Sequence, residues 1–320
     1  MLKVVVVGAG RMGREHAHAI SVAGDQVVAF LDPDIARAQR AAADLGGLGI
    51  SVGDDIADAL GRVAGRGASA VLVASPSALH LAHARAAISF GLPVLLEKPP
   101  WVPGQDPRPL LDAGHNGAVL AVGMTTRFNP GVQAVRRAVR SGALGSVLVA
   151  SDLVAFTLAP GDLGDWYFDV ERSGGGVLTT NGVHSLDRLA WVLGQPLVLR
   201  SARLSSEMLR SCEDTALLEL SAGDTRAHIS ELWGPGPVPP SELLVIGTRG
   251  SCWTDREGNW RLSSIDGSAS EGRPPGYSEL LEQWRSFRSL VLDGRRDDVL
   301  PEIDELVAPM DLLAEAVRWR

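Results

Sequence analysis

Three glycines and one acid have the residue types and spacing to bind a nucleotide: Gly8, Gly10, Gly13 and Asp32. In a Gly-x-Gly-x-x-Gly turn, the first glycine permits a tight turn and the second lets a pyrophosphate approach the backbone. The third lets a helix pack closely on the preceding strand. Asp32 follows Gly10 at about the spacing at which a carboxylate accepts hydrogen bonds from the adenosine ribose. We therefore predict a dinucleotide site around these four residues.

The elements next to this turn suit such a site. Residues 2–7 form a near-continuous apolar run, as expected of a strand buried on both faces. Residues 14–22 are compatible with a helix, whose N-terminus would present unpaired N–H groups and a positive dipole end to phosphates. A nucleotide-free α/β domain would also account for the glycines, but it gives no reason for Asp32 at the end of the next apolar run.

Strands and helices alternate along the first part of the chain. Further strands are predicted at 26–31, 70–74, 93–96 and 118–122, and helices at 34–45 and 78–90. The proline-rich segment 99–109 is expected to be a loop. This alternation predicts a parallel sheet wrapped by helices, with ligands bound at the carboxyl ends of the strands.

After about residue 123 the pattern changes. A helix is predicted at 131–141, strands at 146–156, 198–204, 215–220, 226–233 and 242–246, and two closing helices at 278–292 and 302–319. Several of these strands alternate polar and apolar residues, as in the His-Ile-Ser-Glu run at 228–231. They predict an antiparallel sheet with one solvated or partner-covered face.

Composition excludes several classes of protein. A chain of 320 residues is long enough for two domains, and a net charge of −8 argues against a general nucleic-acid or acidic-membrane surface. Cys212 and Cys252 are far apart, which favours a reducing compartment, and the seven histidines form no metal-ligand pattern. The first strand leaves no room for a signal peptide, and no apolar run approaches the roughly 18 residues of a membrane span. We expect a cytoplasmic protein.

Several further motifs occur in a characteristic order. They are Ser75-Pro76 with His80, Glu97-Lys98-Pro99, Arg127-Phe128-Asn129-Pro130, the glycine-rich run at 173–178, the Gly-Val-His-Ser-Leu-Asp run at 182–187 and the turn at 247–251. Together with His16 on the first helix, this order resembles the glucose–fructose oxidoreductase / inositol dehydrogenase / MocA family across nearly the whole chain. The resemblance implies an α/β protein with an N-terminal Rossmann domain over 1–123, a doubly wound parallel sheet. It also implies a C-terminal α+β domain over 124–320, with a large, mainly antiparallel open sheet that forms homodimer or homotetramer contacts.

The resemblance places Lys98 and His184 in the positions of the family's catalytic lysine and histidine. An amine at Lys98 can donate a hydrogen bond to the reacting oxygen and, if partly desolvated, can transfer its proton. The alternative is a surface lysine paired with Glu97. His184 would be the general acid/base or its relay, or a buried histidine without chemistry. Asp187, three residues on, would orient the imidazole or pair locally.

One position departs from the family pattern. Many relatives carry an aspartate four residues before the histidine, where this chain has Thr180. A hydroxyl does not take up a proton at neutral pH, although it can hold a substrate oxygen, and Asn181 can supply another hydrogen bond. The substitution reduces the acid/base system to two residues, or indicates a substrate other than a simple polyol.

Further substrate-binding residues follow from the same resemblance. Arg127 is expected to line the nicotinamide or substrate pocket, with a structural ion pair as the alternative. Trp166 and Tyr167 stand where the family often has Trp-Arg, which favours a less anionic or a stacked substrate, although Trp166 could equally be core packing. Tyr277 is expected to close the pocket.

The predicted cofactor-binding set combines the glycine turn with the strand ends. It comprises Gly8, Gly10, Arg11, Met12, Gly13, Asp32, Pro33, Arg37, Ser75, Pro76, His80, Glu97, Lys98 and Arg127. Because Asp32 would repel a 2′-phosphate and accept hydrogen bonds from both ribose hydroxyls, NAD is predicted over NADP.

The resulting prediction is an NAD-dependent oxidoreductase acting on a secondary alcohol, or the matching ketone, of a sugar, aminosugar or cyclitol. Lys98 and His184 would handle the hydroxyl proton. Thr180 and Tyr167 leave a second reading open, in which the same fold reduces C=N or C=C bonds or uses NAD in a net redox-neutral reaction. A third reading is a non-catalytic nucleotide-sensing regulator.

Overall fold

A computed structural model of the chain describes residues 1–45, 47–51, 56–158, 164–208, 211–234, 236–238, 240–272 and 276–319. The chain forms two compact units. The first comprises Met1–Thr125 and Ser278–Glu305, and the second comprises Thr126–Tyr277 and Leu306–Arg320. The predicted division into 1–123 and 124–320 therefore differs from the structure at one segment, because Ser278–Glu305 returns to the first unit.

The regular elements are numbered in chain order. The strands are β1 (Lys3–Val7), β2 (Gln26–Asp32), β3 (Leu48–Ser51), β4 (Ala70–Val73), β5 (Val94–Glu97), β6 (Leu120–Gly123), β7 (Val147–Thr157), β8 (Val198–Ser205), β9 (Thr215–Ala222), β10 (Thr225–Gly234), β11 (Glu242–Gly247), β12 (Gly250–Asp255), β13 (Trp260–Ser264) and β14 (Ala269–Gly272). The helices are α1 (Arg11–Val22), α2 (Ile35–Leu45), α3 (Ile56–Ala64), α4 (His80–Ser89), α5 (Arg108–His115), α6 (Pro130–Arg140), α7 (Val170–Ser173), α8 (Val183–Leu193), α9 (Glu279–Asp293) and α10 (Val307–Arg318).

The first unit contains a six-stranded parallel sheet in the order β3-β2-β1-β4-β5-β6. This is the doubly wound arrangement predicted from the alternation of elements. Its strand order reverses between β1 and β4, and ligands of such sheets bind at the carboxyl strand ends beside that reversal. The residues of β1 from Val4 to Val7 are all buried, which explains the apolar run in the sequence.

Helix α9 belongs to the first unit because of one buried acid. The Asp25 carboxylate accepts hydrogen bonds from the Leu2 backbone N–H at 2.7 Å and from the Trp284 indole at 2.9 Å. Arg288 Nε donates to the same carboxylate at 3.0 Å. Trp284 and Phe287 are fully buried. Helix α9 could be predicted from sequence, but its packing against α1 could not.

Gln283, next to Trp284, is fully buried, and among the described residues neither of its amide atoms has a hydrogen-bond partner. A buried polar group without a partner costs about 1–3 kcal/mol. Replacing Gln283 by methionine should therefore raise the free energy of unfolding by about 1 kcal/mol, measured by urea denaturation.

Gln105 is the matched control in the same unit. Its Oε1 accepts from the Val102 N–H at 3.1 Å and its Nε2 donates to the Ala78 carbonyl at 2.8 Å. Gln105→Met should lower stability. A lower urea midpoint for Gln283→Met as well would show that its amide does form stabilising hydrogen bonds.

The second unit contains an eight-stranded sheet in the order β14-β13-β12-β11-β7-β10-β9-β8. Only the β7–β10 pair is parallel among its described ladders, which confirms the predicted large, mainly antiparallel sheet. Helix α8 lies against β7, and α6 and α10 pack on α8. In β10, Ala227, Ile229 and Glu231 are buried whereas Arg226 and His228 are exposed.

The burial of Glu231 differs from the simple polar–apolar alternation that residues 228–231 suggest. Glu231 shares the inner face with Ile229, because alternate strand residues face the same side. Its Oε1 accepts a hydrogen bond from the Ser185 hydroxyl at 2.6 Å. The helix that covers the sheet therefore supplies a polar partner to this acid.

Candidate active site

The glycine turn after β1 has the geometry that its spacing predicts. Gly8 has a positive φ of 97°, and a Cβ on it would lie 2.5 Å from the Ala74 carbonyl oxygen. A Cβ on Gly13 would overlap the Gly8 carbonyl oxygen. A Cβ on Gly10 would meet nothing within 4 Å, so the space next to this backbone is open. The turn therefore fits the close approach of a pyrophosphate at the start of α1.

Asp32 ends β2 with a carboxylate that is only 5% exposed. Its Oδ2 accepts the Ala9 N–H at 2.9 Å, and its Oδ1 accepts the Asp34 N–H at 2.9 Å. Arg37 Nη1 lies 3.5 Å from Oδ1. Because an ionised carboxylate has about four acceptor positions, Asp32 can bind ribose hydroxyls while it holds the glycine turn in place.

A cleft of about 1040 Å³ opens beside the turn. It is lined by α1, α2 and the start of α9, and its walls include Gly10, Arg11 and Arg37 from the predicted cofactor set. The cleft therefore lies beside the glycine turn and Arg37 and does not include Lys98 or Ser75 in its walls.

Lys98 follows β5 directly and is half-buried. The preceding residue, Glu97, is 5% exposed, and its Oε1 lies 2.6 Å from Nε2 of the buried His16 on α1. Its Oε2 accepts the Lys98 N–H at 3.2 Å. Burial alone raises the pKa of Glu97, but the hydrogen bond and charge of His16, together with Lys98 and His80, lower it overall.

Lysine occurs at two positions in the whole chain, Lys3 and Lys98. Positive charge is otherwise supplied by arginine, whose guanidinium does not give up a proton in proteins. The strand end at Lys98 therefore carries a cation that can also act as a proton donor and acceptor.

His80, predicted to bind the cofactor, is 2% exposed at the start of α4. Its Nδ1 lies 2.7 Å from the Pro99 carbonyl oxygen and its Nε2 lies 2.7 Å from the Ser75 carbonyl oxygen. Burial lowers the pKa of His80, against the opposing effect of these two carbonyls. These contacts let His80 position the Ser75 and Pro99 segments, and its role in binding the cofactor stays a prediction. Burial and the neighbouring His80 lower the pKa of His83, which binds the Ser75 hydroxyl, to about 4.

His184 is the second residue of α8 and is half-buried. The backbone enters α8 through a π-helical turn, Leu178–Gly182, and such turns are frequent at functional sites. Before it, Glu213 Oε1 accepts the Gly176 N–H at 2.8 Å and the Leu178 N–H at 3.2 Å. A side chain at Gly176 would overlap the Glu213 carbonyl oxygen, which explains the glycine run at 173–178.

Thr180 lies in the π-helical turn and is 2% exposed. Its hydroxyl donates to the Gly176 carbonyl oxygen at 2.8 Å. The position that holds an acid in many relatives thus supplies a hydroxyl that supports the turn, while the adjacent Asn181 is half-buried. The hydrogen bond to Gly176 is a structural role that the sequence did not indicate.

Arg127 and Asp187 form a buried bidentate ion pair. Arg127 Nε donates to Asp187 Oδ2 at 2.9 Å and Nη2 donates to Oδ1 at 2.6 Å. The two side chains are 3% and 1% exposed. The Arg127 guanidinium also lies 5.4 Å from the ring centroid of Trp191. The structure therefore has the ion pair that was the alternative reading for Arg127, and it pairs Asp187 with this arginine.

The predicted aromatic residues occupy a short 3₁₀ helix, Asp165–Phe168. Trp166 and Tyr167 are half-buried, with ring centroids 3.9 Å apart. Tyr277 is 42% exposed at the end of the second unit's long segment. These rings are accessible enough to contact a ligand, so their role in substrate binding stays a prediction.

A buried polar network under α8 was missed from the sequence. Arg188 donates to both Asp152 oxygens, at 2.8 and 2.6 Å, and to the Ser185 hydroxyl at 3.2 Å. Ser185 in turn donates to Glu231. These contacts attach the helix that carries His184 to β7 and β10. The sequence offered one indication of this network. Glu231 is a charged residue two positions after Ile229, so it lies on the same face of β10.

The predicted site residues are distributed over the two units. The first unit holds the glycine turn, Asp32, the Ser75–Pro76 segment and Lys98. The second holds Arg127, Trp166, Tyr167, Thr180, Asn181, His184, Asp187 and Tyr277. Within the described ranges, no three His, Cys, Asp or Glu side chains are grouped to hold a metal ion. No helix in those ranges is both long and apolar enough to cross a membrane.

Comparison with known proteins gives matches to both units. Residues 2–123 match the family described as an oxidoreductase family with an NAD-binding Rossmann fold, and residues 132–253 match the GFO/IDH/MocA C-terminal domain. Inositol 2-dehydrogenase 4 of Saccharopolyspora erythraea is 31% identical over 206 residues, which cover 63% of this chain and 57% of that relative. The match thus spans less than two thirds of that relative's length.

Two further similar proteins cover more of the chain. A dTDP-3,4-didehydro-2,6-dideoxy-alpha-D-glucose 3-reductase of Streptomyces violaceoruber is 31% identical over 258 residues, 79% of this chain and 68% of the relative. The crystal structure of GenD2 from gentamicin A biosynthesis, in complex with NAD, is 25% identical. It matches 99% of this chain and 93% of that chain with a TM-score of 0.81. With both domain matches in the expected order, the chain belongs to the glucose–fructose oxidoreductase / inositol dehydrogenase / MocA family of NAD-binding oxidoreductases.

Proposed function

We propose that the protein is an NAD-dependent oxidoreductase that interconverts a secondary alcohol and a ketone on a sugar, aminosugar or cyclitol. The observation that carries this proposal is Lys98, half-buried at the carboxyl end of β5 and backed by the buried Glu97. It follows a strand of the same sheet as the glycine turn. Relatives named inositol dehydrogenase and sugar 3-reductase support the substrate class.

In this reaction the cofactor, Lys98 and His184 would have separate roles. Bound NAD supplies the hydride acceptor for alcohol oxidation, and NADH supplies the donor for the reverse reaction. Lys98 Nζ would donate a hydrogen bond to the reacting oxygen and stabilise its developing negative charge. His184 would accept the hydroxyl proton during oxidation and return it during reduction. Hydride and proton together account for the two hydrogens removed from the alcohol.

We propose that NAD is preferred over NADP. Asp32 offers a buried carboxylate at the end of β2, where a 2′-phosphate would meet a like charge. A steady-state comparison of the two cofactors checks this preference. A higher kcat/KM with NADP would contradict it.

The hydroxyl at Thr180 favours a second candidate reaction on the same fold. Because this hydroxyl donates to the Gly176 carbonyl, the position does not add an acid to the proton-transfer system. A departure from the dehydrogenase pattern at this position points to reduction of a C=N or C=C bond, or to a net redox-neutral reaction with transient use of NAD. Either reaction would still need Lys98 and His184 for proton transfer. The chain retains Lys98 and His184, both half-buried, as candidate proton-transfer residues, and this argues against a purely regulatory protein.

A substrate panel separates these candidates. Cyclitols, sugars, aminosugars and nucleotide-linked keto-sugars would be incubated with NAD or NADH, with nicotinamide absorbance and product mass followed together. Dehydrogenation predicts NADH formation and a product lighter by two hydrogens. A product formed without net change in NADH would favour the redox-neutral reaction, and no turnover with any compound would favour the regulator.

We further propose a homodimer or homotetramer formed through the large sheet, in a reducing compartment such as the cytoplasm. On the face opposite the helices, Val198, Leu217 and Ile246 are 46%, 47% and 39% exposed. Cys212 and Cys252 are buried and free. Light scattering of the purified protein gives its mass in solution, and a monomer would contradict the assembly.

A further inference from the structure

We propose that His16 is a positioning residue for Lys98. By binding the buried carboxylate of Glu97, it holds a negative charge in a set place beside the Lys98 ammonium. The inference rests on the proposed role of Lys98 and adds a residue of α1 that touches neither substrate nor cofactor in that proposal. All groups involved lie in the first unit.

The contact between His16 and Glu97 is short, and both side chains are buried. His16 Nε2 and Glu97 Oε1 are 2.6 Å apart, and the side chains are 1% and 6% exposed. Among the described residues, Nδ1 of His16 has no hydrogen-bond partner. The polar contact of this imidazole is therefore with Glu97, so its removal breaks no other hydrogen bond of the ring.

Glu97 transmits this contact to Lys98 in two ways. Its second oxygen accepts the Lys98 backbone N–H at 3.2 Å, which fixes the start of the segment that carries the amine. Its charge also interacts with the Lys98 ammonium. An opposite charge nearby favours the charged form of a group, and the effect is larger away from water.

The groups that face Glu97 come from three helices and from Lys98 itself. The titratable groups are His16 on α1, His80 on α4 and Lys98. The third helix, α9, contributes the neutral amide of Gln283, whose Nε2 lies near Gly123, as does Glu97 Oε1. Burial on its own would raise the pKa of Glu97, and the His16 hydrogen bond is the largest effect that lowers it. Without His16, the carboxylate loses its 2.6 Å hydrogen-bond partner and is no longer held in a fixed place beside the Lys98 ammonium.

The two-lysine composition allows a direct measurement on the full-length protein without cofactor or substrate. Reductive methylation with ¹³C-formaldehyde labels Lys98, Lys3 and the terminal amine, and NMR then follows each methyl resonance against pH. In His16→Leu and in Glu97→Gln, the Lys98 resonance should titrate about one pH unit lower than in the parent protein. In His16→Gln, whose amide can still donate to Glu97, the midpoint should stay near the parent value.

Two controls show whether a shift of the Lys98 midpoint is specific to the contact between His16 and Glu97. The Lys3 resonance should not move in any variant. His18→Leu, on the exposed side of the same helix, should leave the Lys98 midpoint unchanged. Glu97→Gln keeps the size and an acceptor for His16, so it serves as the folded variant if His16→Leu does not fold.

A Lys98 midpoint that stays at the parent value in folded His16→Leu, or in Glu97→Gln, would overturn the inference. That outcome is distinct from failure of the proposed function, which would appear as near-normal turnover in a Lys98 variant. The titration needs no substrate, so the two failures can be told apart.

Discussion

Replacing Lys98 by methionine should lower kcat by about three orders of magnitude, within the range that general acid–base groups contribute. Methionine has a similar length but no proton and no charge, so the reacting oxygen loses its hydrogen-bond donor in the transition state. Isothermal titration calorimetry should show that NAD still binds. The glycine turn and Asp32, which would bind the nucleotide, are left unchanged.

Lys3→Met is the matched control, because it removes the second lysine at an exposed position of β1 and should leave kcat unchanged. Lys98→Arg adds a further distinction. It keeps the positive charge but replaces an amine that can give up a proton with a guanidinium that does not. Near-normal turnover in Lys98→Met would remove this residue from the mechanism, whereas activity in Lys98→Arg alone would assign it a purely electrostatic role.

Replacing Arg127 by methionine should lower the free energy of unfolding by about 3–5 kcal/mol, because it leaves the buried Asp187 carboxylate without its cation. Removal of one partner of a buried ion pair is costly since the remaining charge loses a counter-charge in a place from which water is largely excluded. Asp187 is 1% exposed and loses two hydrogen bonds. Urea denaturation, monitored by tryptophan fluorescence, measures the loss of unfolding free energy.

The double variant Arg127→Met, Asp187→Leu is the informative control. Replacement of a whole buried ion pair by apolar residues is often neutral or stabilising, so most of the lost stability should return. If turnover returns with stability, the pair is structural. If the double variant is stable but inactive, Arg127 lines the pocket or Asp187 orients His184, as the family resemblance suggested. A single variant as stable as the parent would contradict the buried pair itself.

Local patterns predicted a large part of the fold. The glycine turn, the apolar run of β1 and the alternation of strands and helices predicted the parallel sheet, and the longer alternating strands predicted the antiparallel one. Seven elements were not predicted: strands β3, β12, β13 and β14, and helices α3, α5 and α7. The four-residue strands β3 and β14 are too short to show a periodic pattern. The return of Ser278–Glu305 to the first unit was also missed.

The sequence by itself determined the nucleotide turn, because Gly13 lies against Gly8 within one strand–turn–helix unit and Asp32 ends the next strand along the chain. It also determined family membership, and with it Lys98 and His184 as the candidates for chemistry. The tertiary structure alone decided which groups these residues meet. Arg127 pairs with Asp187 across 60 residues, His16 with Glu97 across 81, and Asp25 with Trp284 across 259. Such pairs form because a buried polar group needs a hydrogen-bond partner among the side chains that packing brings within about 3 Å. The spacing of residues along the sequence does not show which side chains these are.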